Sequence, residues 1–420
     1  MTTLSLDDTL YFHNIRLDPD SAFRMEWWDN LRKEAGPAGN FYISISKRFS
    51  KNRFVTRNGE WSLPWKQDLI PGFEMPIYDP TFNKDFGEVS DEKALQIKER
   101  ISNGEKFAVM YSGGIDSTVI LVSLLKNLTT EELESIIICC SVHSMIENPM
   151  LWKNHIEGKI KVHDTQSVWY DDIIGMGYTP ITGDEGDCIF GTIIGTELYH
   201  NYDYHLSKIV DPTVRHNLSQ LKHLISDPTV HFSAYRDIII NHLAYDNTAE
   251  GKEFGRLLYE KYAYNIETTT NACPIVSLHD FFWWLIFNVK YLNCSVRGAI
   301  YFNTKLPVGE CINAIENWFN DPLYQQWSMN NNNNGEKIGK TLASYKMAGR
   351  KYIHDFDKND WYFYFKTKLE SLGNLNVKKG VPQMPGDAIT SNFDRIDLEL
   401  KENQEYFRHH IMNFNIDWTD

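Results

Sequence analysis

The sequence predicts an α/β protein: a doubly wound parallel sheet, a helical C-terminal region and a small irregular N-terminal region. Three observations predict it. Short, wholly apolar runs recur between about residues 96 and 205, and each is of the type that forms a strand buried on both faces. Helical stretches separate those runs, as crossovers between parallel strands require. Polar segments bearing glycine follow two of the runs directly, where ligands of such sheets bind.

Residues 1–95 form the first region. Alternating runs such as Asn40-Phe-Tyr-Ile-Ser-Ile-Ser suggest short strands, and Pro37, Pro64, Pro71, Pro76 and Pro80 interrupt the rest. A helix is expected over Asp91–Asn103, where Ala94, Leu95, Ile97 and Ile101 recur at helical spacing. The second region, 96–205, holds the expected sheet. Lys106–Tyr111 is the first strand, Ile115–Leu128 an apolar helix, Ser135–Ser141 the second strand, Lys159–His163 the third and Tyr178–Thr182 the fourth. The third region, 206–420, reads as mainly helical. Its most apolar helix is Asp280–Tyr291, and a last helical stretch, Lys340–Ser371, is rich in lysine and aromatics. Five asparagines, Asn330–Asn334, make a bland loop.

Composition narrows the function classes. A hydrophobic fraction of 42% over 420 residues supports two or three packed units. No apolar run approaches the roughly 18–20 residues of a membrane helix, and the start of the chain lacks the pattern of a signal peptide. The six cysteines form no C-x-x-C pair, which disfavours a zinc ribbon or a redox pair and suits buried thiols in a reducing compartment. A cytoplasmic protein is expected. With 42 basic against 56 acidic side chains the net charge is −14, so the basic cluster Lys47–Arg57 reads as solvated surface, not a nucleic-acid grip.

Two motifs carry the chemistry. Ser112-Gly-Gly-Ile-Asp-Ser follows the first strand and opens a helix. Gly113 and Gly114 allow a tight turn and close approach of an anion. The N–H groups at the helix start make an anion site, and Ser112, Ser117 and Thr118 offer hydroxyl donors. Asp116 would repel bare phosphate, but it suits phosphate carrying Mg²⁺. The second motif, Thr182-Gly-Asp-Glu-Gly-Asp-Cys-Ile-Phe-Gly, follows the fourth strand. Two carboxylates from separate strand ends can share one divalent cation, and a third can accept a proton from an incoming nucleophile.

The hexapeptide after a strand resembles the signature of the PP-loop (adenine nucleotide α-hydrolase-like) ATP pyrophosphatases. The second motif is similar to one found in asparagine synthetases and β-lactam synthetases. The resemblance covers about residues 105–370, the synthetase part alone. It implies ATP and Mg²⁺ as cofactors, with Asp116 and Asp187 holding the metal. It implies that Asp184 faces the acyl-adenylate and the attacking amine, that Thr182 and Gly183 adjoin the nucleotide, and that backbone at Met110, Ser141 and Val142 lines the adenine pocket. Glu185 and Cys188 depart from the pattern, standing where the family has glycine and glutamate.

The implied activity is amide formation: a carboxylate is adenylated, and ammonia or an amine displaces AMP. An enzyme of RNA or nucleobase modification is the alternative. Thr2 stands where the glutamine-using members carry a catalytic cysteine, so the expected partners are a small carboxylic acid and ammonia or an external amine, which a separate protein could supply. Neither motif supplies a cation for the α-phosphate. By the resemblance it comes from a late lysine: Lys366 or Lys368, or else Lys346, which with Arg350 forms a K-x-x-x-R segment expected on one helix face. Arg236, His279, Asp280, Trp283, Lys290 and Arg297 are candidates for the acceptor wall, although Trp283 and Trp284 also read as a buried helix face.

Overall fold

Apolar tetra- and pentapeptides bounded by turns place the sheet. In the computed structural model, which describes residues 57, 72–140, 142–164, 169–190, 229–244, 248–269, 273–291, 294–295, 299, 303, 305–306, 308–330 and 346–365, the strands are fully buried along β1 (Phe107–Met110) and β2 (Ile136–Cys140). The chain falls into two units. One comprises described residues within Lys84–Gly183, Asn313–Asp321 and the chain from Lys346. The other draws on the chain before Lys84 and on Asp184–Ile312 and Pro322–Tyr345.

The first unit begins with helix α1 (Phe86–Ser102), which starts earlier than the spacing of its apolar residues indicated. The reason is a capping box: Asp85 accepts from the Glu88 N–H, and the Glu88 side chain accepts from the Asp85 N–H. Strand β1 leads to α2 (Ile115–Asn127) and back to β2; β3 (Lys161–Asp164), α3 (Tyr170–Gly175) and β4 (Thr179–Thr182) follow. A fifth strand, β5, is only Glu316–Asn317. All pairings are parallel, and the order is β3-β2-β1-β4-β5. The unit closes with α4 (Met347–Asp357) and α5 (Asp360–Phe365).

The four longer strands match the expected segments to within two residues at each end. Pro180 is tolerated inside β4 because of its position. The Thr179 N–H donates to the Lys106 carbonyl on the β1 side, so Pro180 faces the other edge. There β5 begins only opposite Ile181, and no ladder bond requires the missing N–H. β5 itself is fixed by charge: Glu316 pairs with Lys93 at 2.8 Å and Arg100 at 2.5 Å, both on α1, and Lys93 also reaches Asp321 at 3.4 Å.

The second unit packs aromatics. The helix Leu278–Trp284 continues into a π-helical turn, Leu285–Lys290, and every described side chain of this run is buried. Trp283 stacks on Phe287, with ring centroids 4.7 Å apart, and its Nε1 donates to Ser328. Arg57 corrects one expectation. Far from being solvated, it is wholly buried: it donates to the carbonyls of Phe73 and Glu74 and to Gln325, and lies over the Tyr291 ring at 3.7 Å. Bonds from the guanidinium nitrogens to carbonyls and an amide, with a ring face beneath, allow this side chain to be buried. The other basic residues of that cluster lie outside the described residues. Among the described residues no helix is long and apolar enough to cross a membrane.

Candidate active site

In this parallel sheet the strand order reverses between β1 and β4, since β1 through β3 run to one side and β4 and β5 to the other. Ligands of such sheets bind in the crevice that opens at the carboxyl ends of those two strands. Both motifs begin there. Ser112–Ser117 joins β1 to α2, and Thr182 ends β4 with Gly183 directly after it. Met110, the last residue of β1, is buried beside Cys139 of β2. Val142 opens the helix Val142–Glu147 that follows β2, and Ser141 lies outside the described residues.

The loop needs its first glycine. Gly113 has φ +74°, and a Cβ there would come within 2.5 Å of the Ser144 carbonyl oxygen. Gly114 is the N-cap of α2 and has no side-chain cap of its own. The Gly114 N–H donates to Ser112 Oγ at 3.3 Å; Ser112 Oγ and Ser117 Oγ are 3.1 Å apart, and Ser117 donates to the Gly114 carbonyl. Ser112 and Gly114 are only half-buried, which leaves this hydroxyl and N–H within reach of a ligand. Thr118 differs from expectation. It is wholly buried and its Oγ1 lies 3.0 Å from the Tyr362 hydroxyl, so it serves the interior.

Asp116 sits in the first turn of α2 beside Gly183, where a Cβ would stand 3.2 Å from the Asp116 Cβ. Thr182 and Gly183 are thereby brought against the loop. Lys346 meets them: its Nζ donates to both Asp116 carboxylate oxygens, at 2.6 Å to Oδ1. The Lys346 side chain is nearly buried and that of Asp116 about a quarter exposed. Lys346 has φ 57°, a left-handed conformation that costs a non-glycine residue about 1–2 kcal/mol, and such outliers gather where function holds them.

The K-x-x-x-R segment does not share one face. Lys346 stands just before α4 as its N-cap, while Arg350 is buried within the helix and donates to the Tyr362 and Phe363 carbonyls. The Lys346 carbonyl still accepts from the Arg350 N–H at 2.9 Å, but the left-handed φ of Lys346 takes its side chain off the helical course that the spacing suggested. Lys366 and Lys368 lie outside the described residues.

The remainder of the second motif belongs to the other unit, which the chain enters at Asp184. There Asp184 and Asp187 are half-buried, and Gly186–Ile189 is a short helix. Its end is anchored by Ser328, which donates to the Ile189 carbonyl at 2.6 Å, and by Phe190 packed edge-on against Trp327. Glu185 is wholly buried; burial, reinforced by the charge of Asp184, pushes its carboxyl up to about 8. Cys188 is buried as a free thiol.

Two of the acceptor-wall candidates have structural duties. Asp280 closes the capping box of its helix with Ser277, and Trp283 is core. His279 is buried, whereas Arg236 is exposed, near Glu260 at 3.5 Å. The Lys290 and Arg297 side chains lie outside what is described. Tyr362 and Arg57 were missed by sequence reasoning. An aromatic in a Lys- and aromatic-rich helix, or a lone arginine in a basic cluster, carries no local sign of its distant partners.

Together the sheet order and the loop define an α/β protein with a glycine-bearing turn at the switch point of a parallel sheet. No family model, no curated protein and no solved structure matches the chain.

Proposed function

We propose that the chain is an ATP-dependent, AMP-forming carbon–nitrogen ligase of the asparagine synthetase-like kind, built on a doubly wound sheet of the PP-loop type. The observation that carries this reading is the meeting of three elements at one place. The Ser112–Ser117 loop at the switch point, the carboxylate of Asp116 and the ammonium of Lys346 all adjoin one another. A loop that offers N–H and hydroxyl donors suits a phosphate chain. A carboxylate beside it would oppose that anion, so its presence points to a cation shared with the phosphates.

The donor set fits Mg²⁺. Asp116 supplies hard carboxylate oxygens beside the loop, of the kind that hold Mg²⁺ together with phosphate oxygens and water. Asp116 would hold the ion, with Asp187 as the second carboxylate on the resemblance alone; when bound, Mg²⁺ supplies charge neutralisation at the phosphates.

The chain's own groups do the rest. The Gly114 N–H and the Ser112 hydroxyl bind the pyrophosphate portion. Lys346 is the cation that the described residues set at the loop, and it offsets the charge that builds as pyrophosphate leaves. Asp184 is the carboxylate placed by the resemblance to accept a proton from the attacking amine.

The experiment is ATP–pyrophosphate exchange with a panel of carboxylic acids. Exchange that depends on a small acid, followed by amide formation when ammonia or an amine is added, is expected. Exchange that requires RNA instead would move the reading to nucleic-acid modification. No exchange with any substrate would remove the ligase.

A further inference from the structure

The Gly113–Gly114 peptide is the point of the loop without a side chain on either flank. Glycine on both sides leaves a peptide plane able to turn over with little steric resistance. Its orientation nevertheless decides what the loop offers. In a planar trans peptide the carbonyl and the next N–H point in opposite directions, and no peptide of the described residues is cis. One orientation turns the Gly114 N–H toward Ser112 Oγ, as found here at 3.3 Å. The other turns the Gly113 carbonyl oxygen there, where it would repel a phosphate oxygen.

We propose that Tyr362 is a positioning residue for this loop: its hydroxyl holds the Gly113 carbonyl on the inner side and so presents the Gly114 N–H to a bound phosphate. The Tyr362 hydroxyl donates to the Gly113 carbonyl oxygen at 3.0 Å, and Thr118 Oγ1 lies 3.0 Å from the same hydroxyl. With the threonine on its other side, the phenol proton is directed at the carbonyl. Burial, with Tyr111 beside it, keeps the phenol well above its ordinary range, so it is a protonated donor throughout the working pH.

Tyr362 is itself fixed from two directions. Its N–H donates to the Asn359 side chain at 3.1 Å, and Asn359 reaches Asn148, beyond the helix that crowds Gly113, at 3.4 Å. Arg350 binds its carbonyl at 3.3 Å. The α4–α5 pair thus grips the loop at two points, Lys346 on Asp116 and Tyr362 on Gly113. Lys346 works by charge, Tyr362 by geometry.

This inference rests on the nucleotide reading above, and the test separates the two. Binding of inorganic pyrophosphate, ATP and adenosine is measured by calorimetry for the full chain, for Tyr362→Phe and for Tyr352→Phe. The Tyr352 hydroxyl bonds Asp91 on α1, away from the loop, and serves as the control for loss of a phenolic hydrogen bond from the same segment. Tyr362→Phe is expected to weaken pyrophosphate and ATP roughly tenfold, the value of one hydrogen bond to a charged group. Adenosine affinity should stay close to that of the parent chain, the melting temperature should fall by no more than the loss of one buried hydrogen bond accounts for, and Tyr352→Phe should bind all three ligands as the parent does. Unchanged pyrophosphate affinity in Tyr362→Phe overturns the proposal. Equal losses for adenosine and pyrophosphate overturn it too, as does the same loss in Tyr352→Phe, because either would mark a general structural defect. If the parent chain binds neither ATP nor pyrophosphate, the nucleotide reading falls and this inference with it.

Discussion

Lys346 is the residue on which the account of the site turns. It combines a left-handed backbone, a nearly buried side chain and a direct ion pair with the loop aspartate. The left-handed backbone alone is what a helix end can impose, since Lys358 shares it at the far end of α4, but capping requires neither the burial nor the ion pair. Lys346→Ala is expected to lower ATP-dependent turnover by about 10²–10³, the range for removing one preorganised group that stabilises transition-state charge. Because Asp116 keeps some exposure to water, the same change should lower the melting temperature only slightly. Steady-state kinetics beside a thermal melt distinguishes the two effects, and near-parental turnover would remove Lys346 from the machinery. The sequence marked Lys346 as a candidate but mistook its setting. K-x-x-x-R spacing implies a shared helix face only if both residues lie inside the helix, and Lys346 stands outside it as a left-handed N-cap whose partner, Asp116, is far off in the chain. Arg350, read as its companion, faces the interior instead.

Among the elements, legibility followed local apolar pattern. β1 to β4 were readable because a buried parallel strand is apolar along its whole length, and α1 could have been placed at its true start from the Asp85–Glu88 capping pair. β5 could not be read. Two residues, Glu316 and Asn317, carry no apolar run, and their place at the sheet edge depends on Lys93 and Arg100 from α1. Burial alone would push the Glu316 carboxyl up, but Lys93 and Arg100 outweigh it and hold the carboxyl below its ordinary value. A carboxyl whose folded-state pKa is depressed contributes stability above its unfolded-state pKa and loses it as pH falls through the folded value. Glu316→Gln should therefore destabilise the chain at neutral pH by roughly 1–3 kcal/mol, since it strips a partner from the buried Lys93. Denaturant melts at a series of pH values should show the difference from the parent shrinking as pH falls below the ordinary carboxylate range. A difference that stays constant with pH would mean that β5 is held by packing and not by charge.

At the scale of the whole molecule, the net charge of −14 and the proposed phosphate-binding role of the Ser112–Ser117 loop stand in apparent conflict. They are reconciled if the anion is small, held by oriented N–H groups, one lysine and a divalent cation, and so independent of any broad basic surface. The acidic composition weighed against a nucleic-acid grip, and in the sequence the Ser112–Ser117 and Thr182–Gly191 motifs pointed to the carboxyl ends of the strands, where the loop and the Thr182–Gly183 start of the second motif lie. What neither motif contained was the loop's support: Lys346 and Tyr362 contact it from a segment distant in the chain. The central claim is that ATP is cut between its α- and β-phosphates, and the most direct measurement is the identity of the products. With Mg²⁺, a productive acid and an amine, ATP labelled at the α-phosphate should yield labelled AMP, and ATP labelled at the γ-phosphate should yield labelled pyrophosphate, both abolished in Asp116→Asn. Labelled ADP from the first and inorganic phosphate from the second, as the sole products, would contradict it.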